Sequence, residues 1–111
     1  MTVHGDGRQS RDFTHVDNVV QANLLSLCAP VHDAVLNVGC GRPVVLLDLV
    51  RAVAGLTGRP LDVVHTEPRA GDVRSSCADI GRARQLLGYM AAVDFETGLK
   101  QTYEWFTQPA G

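Results

Sequence analysis

The chain has one lysine, three cysteines, no Cys-x-x-Cys pair and no apolar run near the roughly 18 residues that a membrane-crossing helix needs. It also lacks a basic block or a stripe of basic residues interleaved with aromatics, and its formal net charge is −2. That removes the electrostatic footprint of a nucleic-acid binder, so neither nucleic acid nor membrane is expected as a partner. Cys28, Cys40 and Cys77 are odd in number and widely spaced, which predicts reduced, partly buried thiols rather than a disulfide framework or a zinc site. His4, His15, His32 and His65 show no metal-ligand spacing either, so no metal is expected. Residues 1–20 hold no basic region followed by an apolar one, so no signal peptide is visible and the cytoplasm is the expected location.

What is present describes one ordinary globular unit. The 111 residues are 45% hydrophobic, and no internal repeat, linker or low-complexity tract divides them, so residues 1–111 read as a single domain with one modest core. Nine of the ten basic residues are arginine. Arginine forks suit a phosphorylated ligand, although a GC-rich genome gives the same bias.

The pattern predicts four helices and about four short strands in a small mixed α/β unit. Val3-His4 ends a strand, and Gly5-Asp6-Gly7 is turn punctuation. Asp17 stands where an N-cap is expected, with Val20, Leu24 and Leu27 following at helical spacing until Pro30. Residues 34–39, "AVLNVG", and 61–66, "LDVVHT", read as buried strands. Between them a helix over 46–56 carries Leu46, Leu49, Val50 and Val53 on one stripe, has no capping side chain at Val44-Val45, and ends at Gly58. Asp79 is expected to cap a short helix with Ile80, Ala83 and Leu87 inward, ending at Gly88. Asp94 opens a last helix with Phe95, Leu99, Tyr103 and Phe106 on one face.

Residues 34–67 imitate a dinucleotide-binding unit: strand, Gly39-x-Gly41, helix, strand, then Glu67 as the acid. The imitation fails where the chemistry is strictest. Val44 stands where a small residue is needed for close helix–strand packing, and Pro43 removes a backbone N–H that could have met phosphate. A packed turn accounts better for Gly39 and Gly41. Asp12, Asp17, Asn37 and Asp79 likewise read as turn, cap and backbone-satisfying residues.

Four stretches in order, "GDGRQSRDFTHVDNVVQAN", "LNVGCG", "PRAGDVRSSCADIGRARQLLGY" and "DFETGLKQTYEWF", resemble the C-terminal, substrate-binding half of an extended short-chain dehydrogenase/reductase. Within that group they are most similar to the NAD-dependent nucleotide-sugar epimerases of the UDP-glucose or UDP-N-acetylglucosamine 4-epimerase type, with a slight lean toward N-acetylhexosamine substrates. The resemblance implies a Rossmann-like α/β enzyme whose NAD-binding sheet lies in an N-terminal half that this chain does not carry. It implies that Arg11 of "RDF" and Arg69 of "RAGD" contact a substrate diphosphate, and that Asp72 contacts the ribose. The ligand so implied is a UDP-hexose or UDP-N-acetylhexosamine, and the further partner is the missing Rossmann half.

The same family oxidises its sugar with NAD, using a tyrosine and a lysine four residues later. Here Tyr89 is followed by Val93, Tyr103 by Thr107, and Lys100 is preceded by Glu96. No catalytic residue and no NAD-binding residue is therefore expected in this chain, which should not turn over substrate alone. Two further departures are the uncapped Val44-Val45 and "MAA" after "LLGY". The alternatives are a decarboxylase or dehydratase of the same family, or a non-enzymatic remnant that self-associates through apolar surface left uncovered, in a non-native oligomer.

Overall fold

A computed structural model describes residues 1–109. Strand β1 (Thr2–His4) pairs in parallel with β4 (Val64–Thr66), Thr2 opposite Val64 and His4 opposite Thr66. Strand β2 (Ser10–Arg11) pairs antiparallel with β3 (Val44–Val45), and an isolated bridge ties Ser10 to Ser75. Around these two small sheets lie α1 (Val16–Cys28), α2 (Leu46–Thr57), α3 (Gly81–Leu87) and α4 (Phe95–Thr107). The mixed α/β unit expected from the sequence is present.

Local chemistry sets the helix ends. Asp94 caps α4 by accepting from the Thr97 N–H at 2.8 Å, and Gly58 and Gly88 end α2 and α3 in the left-handed conformation that glycine adopts without penalty. Helix α2 has no capping side chain, as expected. Its first N–H groups, of Leu46 and Leu47, donate instead to the carbonyls of Gln9 and Gly7 at 2.8 and 3.1 Å. Gly7 sits so close to α2 that a Cβ there would lie 2.7 Å from Leu47 Cδ2, so a glycine is what lets the loop reach the helix. Asp79 accepts from Gly81 N–H at 3.0 Å, one position before Ile80, which is the N-cap of α3. His15, not Asp17, caps α1: its Nδ1 accepts from the Asp17 N–H at 3.1 Å.

The core is small, with Ala22, Ile80, Ala83 and Tyr89 at its centre and Leu25, Leu36, Val38 and Leu87 packed around them. Two buried polar groups organise it. The Asn18 side-chain amide clips Val93 in both directions, donating to its carbonyl at 2.7 Å and accepting from its N–H at 3.0 Å. Tyr89 hydroxyl donates to the Gly39 carbonyl at 2.6 Å.

Four expectations are corrected. Helix α1 turns the face of Asn18 and Ala22 inward, whereas Val20, Leu24 and Leu27 point outward, with Leu27 81% exposed. The helix is apolar on both sides, so periodicity alone could not select the buried one. Residues 34–39 form no strand. Leu36 and Val38 pack on the core while Val35 and Asn37 are exposed, but no backbone partner pairs the segment among the described residues. Residues 64–66 are a strand yet exposed throughout, because β4 belongs to a two-stranded sheet. At the end of α4, Phe95, Leu99 and Tyr103 are at least half-buried, but Phe106 is 73% exposed.

Candidate functional site

The two sheets bring the predicted site residues together. Arg11 ends β2, and its Nη2 donates to Asp72 Oδ1 at 2.8 Å across 61 residues of sequence. Its Nη1 donates to the Ser10 carbonyl at 2.7 Å, so the guanidinium is held from two sides. Asp72 stands on a tight turn closed by its own N–H donating to the Arg69 carbonyl at 3.1 Å, with Gly71 left-handed at φ +77°. Arg69 and Asp72 line a cleft of about 330 Å³ with His4, Gln9 and Arg74. Arg69 has no ion-pair partner among the described residues.

Arg11 lines a second, broader cleft of about 640 Å³ with Leu36, Val38, Ser76 and Cys77. The Arg11–Asp72 pair therefore joins the two clefts, one half of the pair facing each. Ser10 and Ser75 hydroxyls, 2.7 Å apart, and the Ser76 N–H donating to the Ser10 carbonyl at 3.1 Å tie β2 to the stretch that follows Asp72.

Asp12 lines the same cleft as Arg11 and fixes this arrangement. Its carboxylate accepts from the N–H groups of Cys40, Gly41 and Ala78 at 3.1, 2.9 and 3.3 Å. Three segments distant in sequence thereby meet at one side chain, beside which a Cβ on Gly39 would lie 2.6 Å from Asp12 Oδ2. Asp12 acts as the backbone-satisfying residue expected from the sequence. The Cys40 and Gly41 N–H groups are thus consumed inside the protein, and the Gly39-Cys40-Gly41 turn has none of them to offer a pyrophosphate. On that ground the turn does not fit the pyrophosphate of a dinucleotide.

The other charged groups frame the clefts. Asp6 and Arg74 form a two-pronged pair at 2.8 and 3.0 Å, and Arg74 with the Arg8 N–H holds the Asp6 carboxyl down at about 2. Arg42 grips Glu96 in the same way at 3.0 and 2.9 Å, which keeps the Glu96 carboxyl below its ordinary range. Burial, then the Asp12 charge, pushes the Cys40 thiol up, and burial does the same to the Tyr89 hydroxyl. Neither group is poised as a nucleophile or base. Cys28 and Cys77 are free and exposed rather than partly buried, and no cluster of three metal-ligating side chains occurs among the described residues. No helix of these residues is long and apolar enough to cross a membrane.

Sequence reasoning missed Asn18 and Tyr89, whose roles depend on partners 75 and 50 residues away. It also missed the Asp6–Arg74 pair. An aspartate between two glycines and an arginine in a polar loop carry no signal that they meet.

Residues 1–39 match the family model described as the NAD dependent epimerase/dehydratase family. The UDP-glucose 4-epimerase of Mycolicibacterium smegmatis is 36% identical over 94% of this chain and 33% of its own length. Among solved structures, the UDP-glucose 4-epimerase of Thermotoga maritima with UDP-glucose is 39% identical, with a TM-score of 0.90 over 96% of this chain and 34% of that one. The UDP-glucuronic acid 4-epimerase of Bacillus cereus, in complex with UDP-glucuronic acid and NAD, gives a TM-score of 0.89 at 28% identity over 96% of this chain and 35% of that one. The chain spans about a third of the length of these relatives. By sequence and by fold the chain is similar to one part of the proteins of the NAD-dependent epimerase/dehydratase family of short-chain dehydrogenases/reductases.

Proposed function

We propose that the chain is the C-terminal, substrate-holding part of a nucleotide-sugar 4-epimerase, and that it binds the nucleoside diphosphate of a UDP-hexose or UDP-N-acetylhexosamine without itself carrying out the reaction. The observation that carries this reading is the convergence of Arg11 and Asp72, with Arg69 on the same turn, at the junction of two clefts. Two guanidinium groups can fork the oxygens of a diphosphate, and a carboxylate, which only accepts, can take hydrogen bonds from ribose hydroxyls. The NAD that performs the redox step in such enzymes would be held by a Rossmann part of the polypeptide outside these residues. The chain's own contribution is to bind and orient the substrate's phosphates.

The surface supports the same reading. Helix α1 keeps an apolar face outward and residues 34–38 leave their backbone without a partner, as an element does when its covering layer belongs elsewhere. That surface also favours the second reading, a remnant that self-associates.

An amide NMR titration of the chain with UDP tests the proposal. Shifts confined to the surroundings of Arg11, Arg69 and Asp72 are expected. A dispersed spectrum that ignores UDP, in the chain and again after a Rossmann part has been supplied, would overturn it.

A further inference from the structure

We infer that the Arg11–Asp72 ion pair is a selectivity latch, which disfavours bare phosphates and yields to a ligand that brings a diphosphate and a diol together. The inference rests on the proposed nucleoside diphosphate site and adds to it a reason for the selectivity.

Without ligand, the cation meant for phosphate and the carboxylate meant for ribose neutralise one another at 2.8 Å. The pair is not deep: its side chains are 31% and 37% exposed, so a ligand can reach them. An anion that takes Arg11 away leaves Asp72 without its cation and close to the incoming negative charge. Inorganic pyrophosphate offers Asp72 nothing in return, since its oxygens at neutral pH are mostly acceptors, as are those of the carboxylate. A nucleoside diphosphate carries hydroxyl donors a few bonds from its phosphates and can satisfy both halves of the pair at once.

Two of the neighbouring charged groups are already engaged. Arg74, one of the two arginines lining the Asp72 cleft, is held by both oxygens of Asp6, and Asp12 is occupied by backbone N–H groups. Arg69 shares the cleft without an ion-pair partner, so it can attract any phosphate and gives no discrimination by itself. Discrimination falls to the pair.

The experiment measures affinities for UDP and for inorganic pyrophosphate by amide NMR titration of the whole chain, in its natural form and as Asp72→Asn, Arg11→Ala and the double variant. Asp72→Asn releases Arg11 and removes one repulsive charge, so pyrophosphate should bind on the order of tenfold tighter. UDP gains the same release but exchanges a charged two-oxygen acceptor for the single neutral carbonyl of asparagine at its ribose, so its preference over pyrophosphate should shrink. The gain for pyrophosphate should vanish in the double variant, because it depends on Arg11. UDP binding to the natural chain with an unchanged pyrophosphate affinity in Asp72→Asn would overturn the latch and leave the site standing. A gain that survives without Arg11 would overturn it equally. No binding of either ligand to any form, alone and again with a Rossmann part supplied, would overturn the site and the latch together. Because the pair is exposed, Asp72→Asn is expected to fold, and its amide spectrum shows directly whether it does.

Discussion

Asp12 is the residue whose loss should disturb the site most through the backbone it holds. Replacing it with alanine leaves three backbone N–H groups without their acceptor and unties the Cys40–Gly41 turn and Ala78 from the end of β2. Water can reach part of that space, so the expected cost is about 2 kcal/mol rather than the full sum of three buried losses, read as a lowered midpoint in urea unfolding. Arg11→Ala and Arg69→Ala are expected to behave differently, with small effects on stability and a loss of diphosphate affinity on the order of 1.5–3 kcal/mol each in the completed enzyme, measured by calorimetry. Asp6 adds a pH dependence. Its folded carboxyl lies at about 2 against 3.8 for the unpaired group, so the stability it contributes is fully present above about 3.8 and is lost as pH falls through about 2. Asp6→Asn should flatten the acid limb of a pH-dependent unfolding curve in that window and leave it unchanged near neutrality. Arg11, Arg69 and Asp72 stand out in the sequence because short motifs carry them, and the structure sets Arg11 beside Asp72. Asn18 and Tyr89 do not stand out, because a buried hydrogen bond to a distant carbonyl leaves no local pattern.

At the scale of elements, two helical glycines separate propensity from packing. Gly55 lies exposed in α2, where an added Cβ meets nothing within 4 Å, so Gly55→Ala should stabilise by about 0.5–1 kcal/mol through helix propensity. Gly98 is buried in α4, where a Cβ would lie 2.9 Å from His15 Cβ, the residue that caps α1. Gly98→Ala should therefore destabilise despite the same gain in propensity, by pushing α4 off the start of α1. Thermal melts of the two variants should move in opposite directions, and a shared upward shift would show that α4 yields freely at this contact. Element ends were readable in advance where chemistry is local: the Asp94 cap and the left-handed Gly58 and Gly88 stand where the sequence puts them. Pairing and facing were not. "LDVVHT" forms a strand only over residues 64–66 and exposes it, and "AVLNVG" packs Leu36 and Val38 inward without becoming a strand, because both outcomes depend on which layers lie alongside.

At the scale of the whole molecule, the chain is a slab. Its extents are 49 × 41 × 19 Å, and its radius of gyration is 16.6 Å, against about 13 Å for a compact chain of this length. A layer 19 Å thick has little interior, which is why apolar residues such as Leu24, Leu27, Val35 and Trp105 stay outside although the composition is that of an ordinary globular protein. Apolar surface in that amount favours association. The variant Leu24→Gln with Leu27→Gln separates surface from core. Both side chains are more than half exposed, so if α1 turns them away from the chain's own core, the pair of changes should shift the unfolding free energy by no more than about 1 kcal/mol. Sedimentation equilibrium over a range of concentrations should meanwhile show weaker association than in the natural chain. A loss of several kcal/mol would instead mean that this face packs within the chain. Preserved stability with unchanged association would place the sticky surface elsewhere, with Trp105 and Phe106 at the end of α4 the next to substitute.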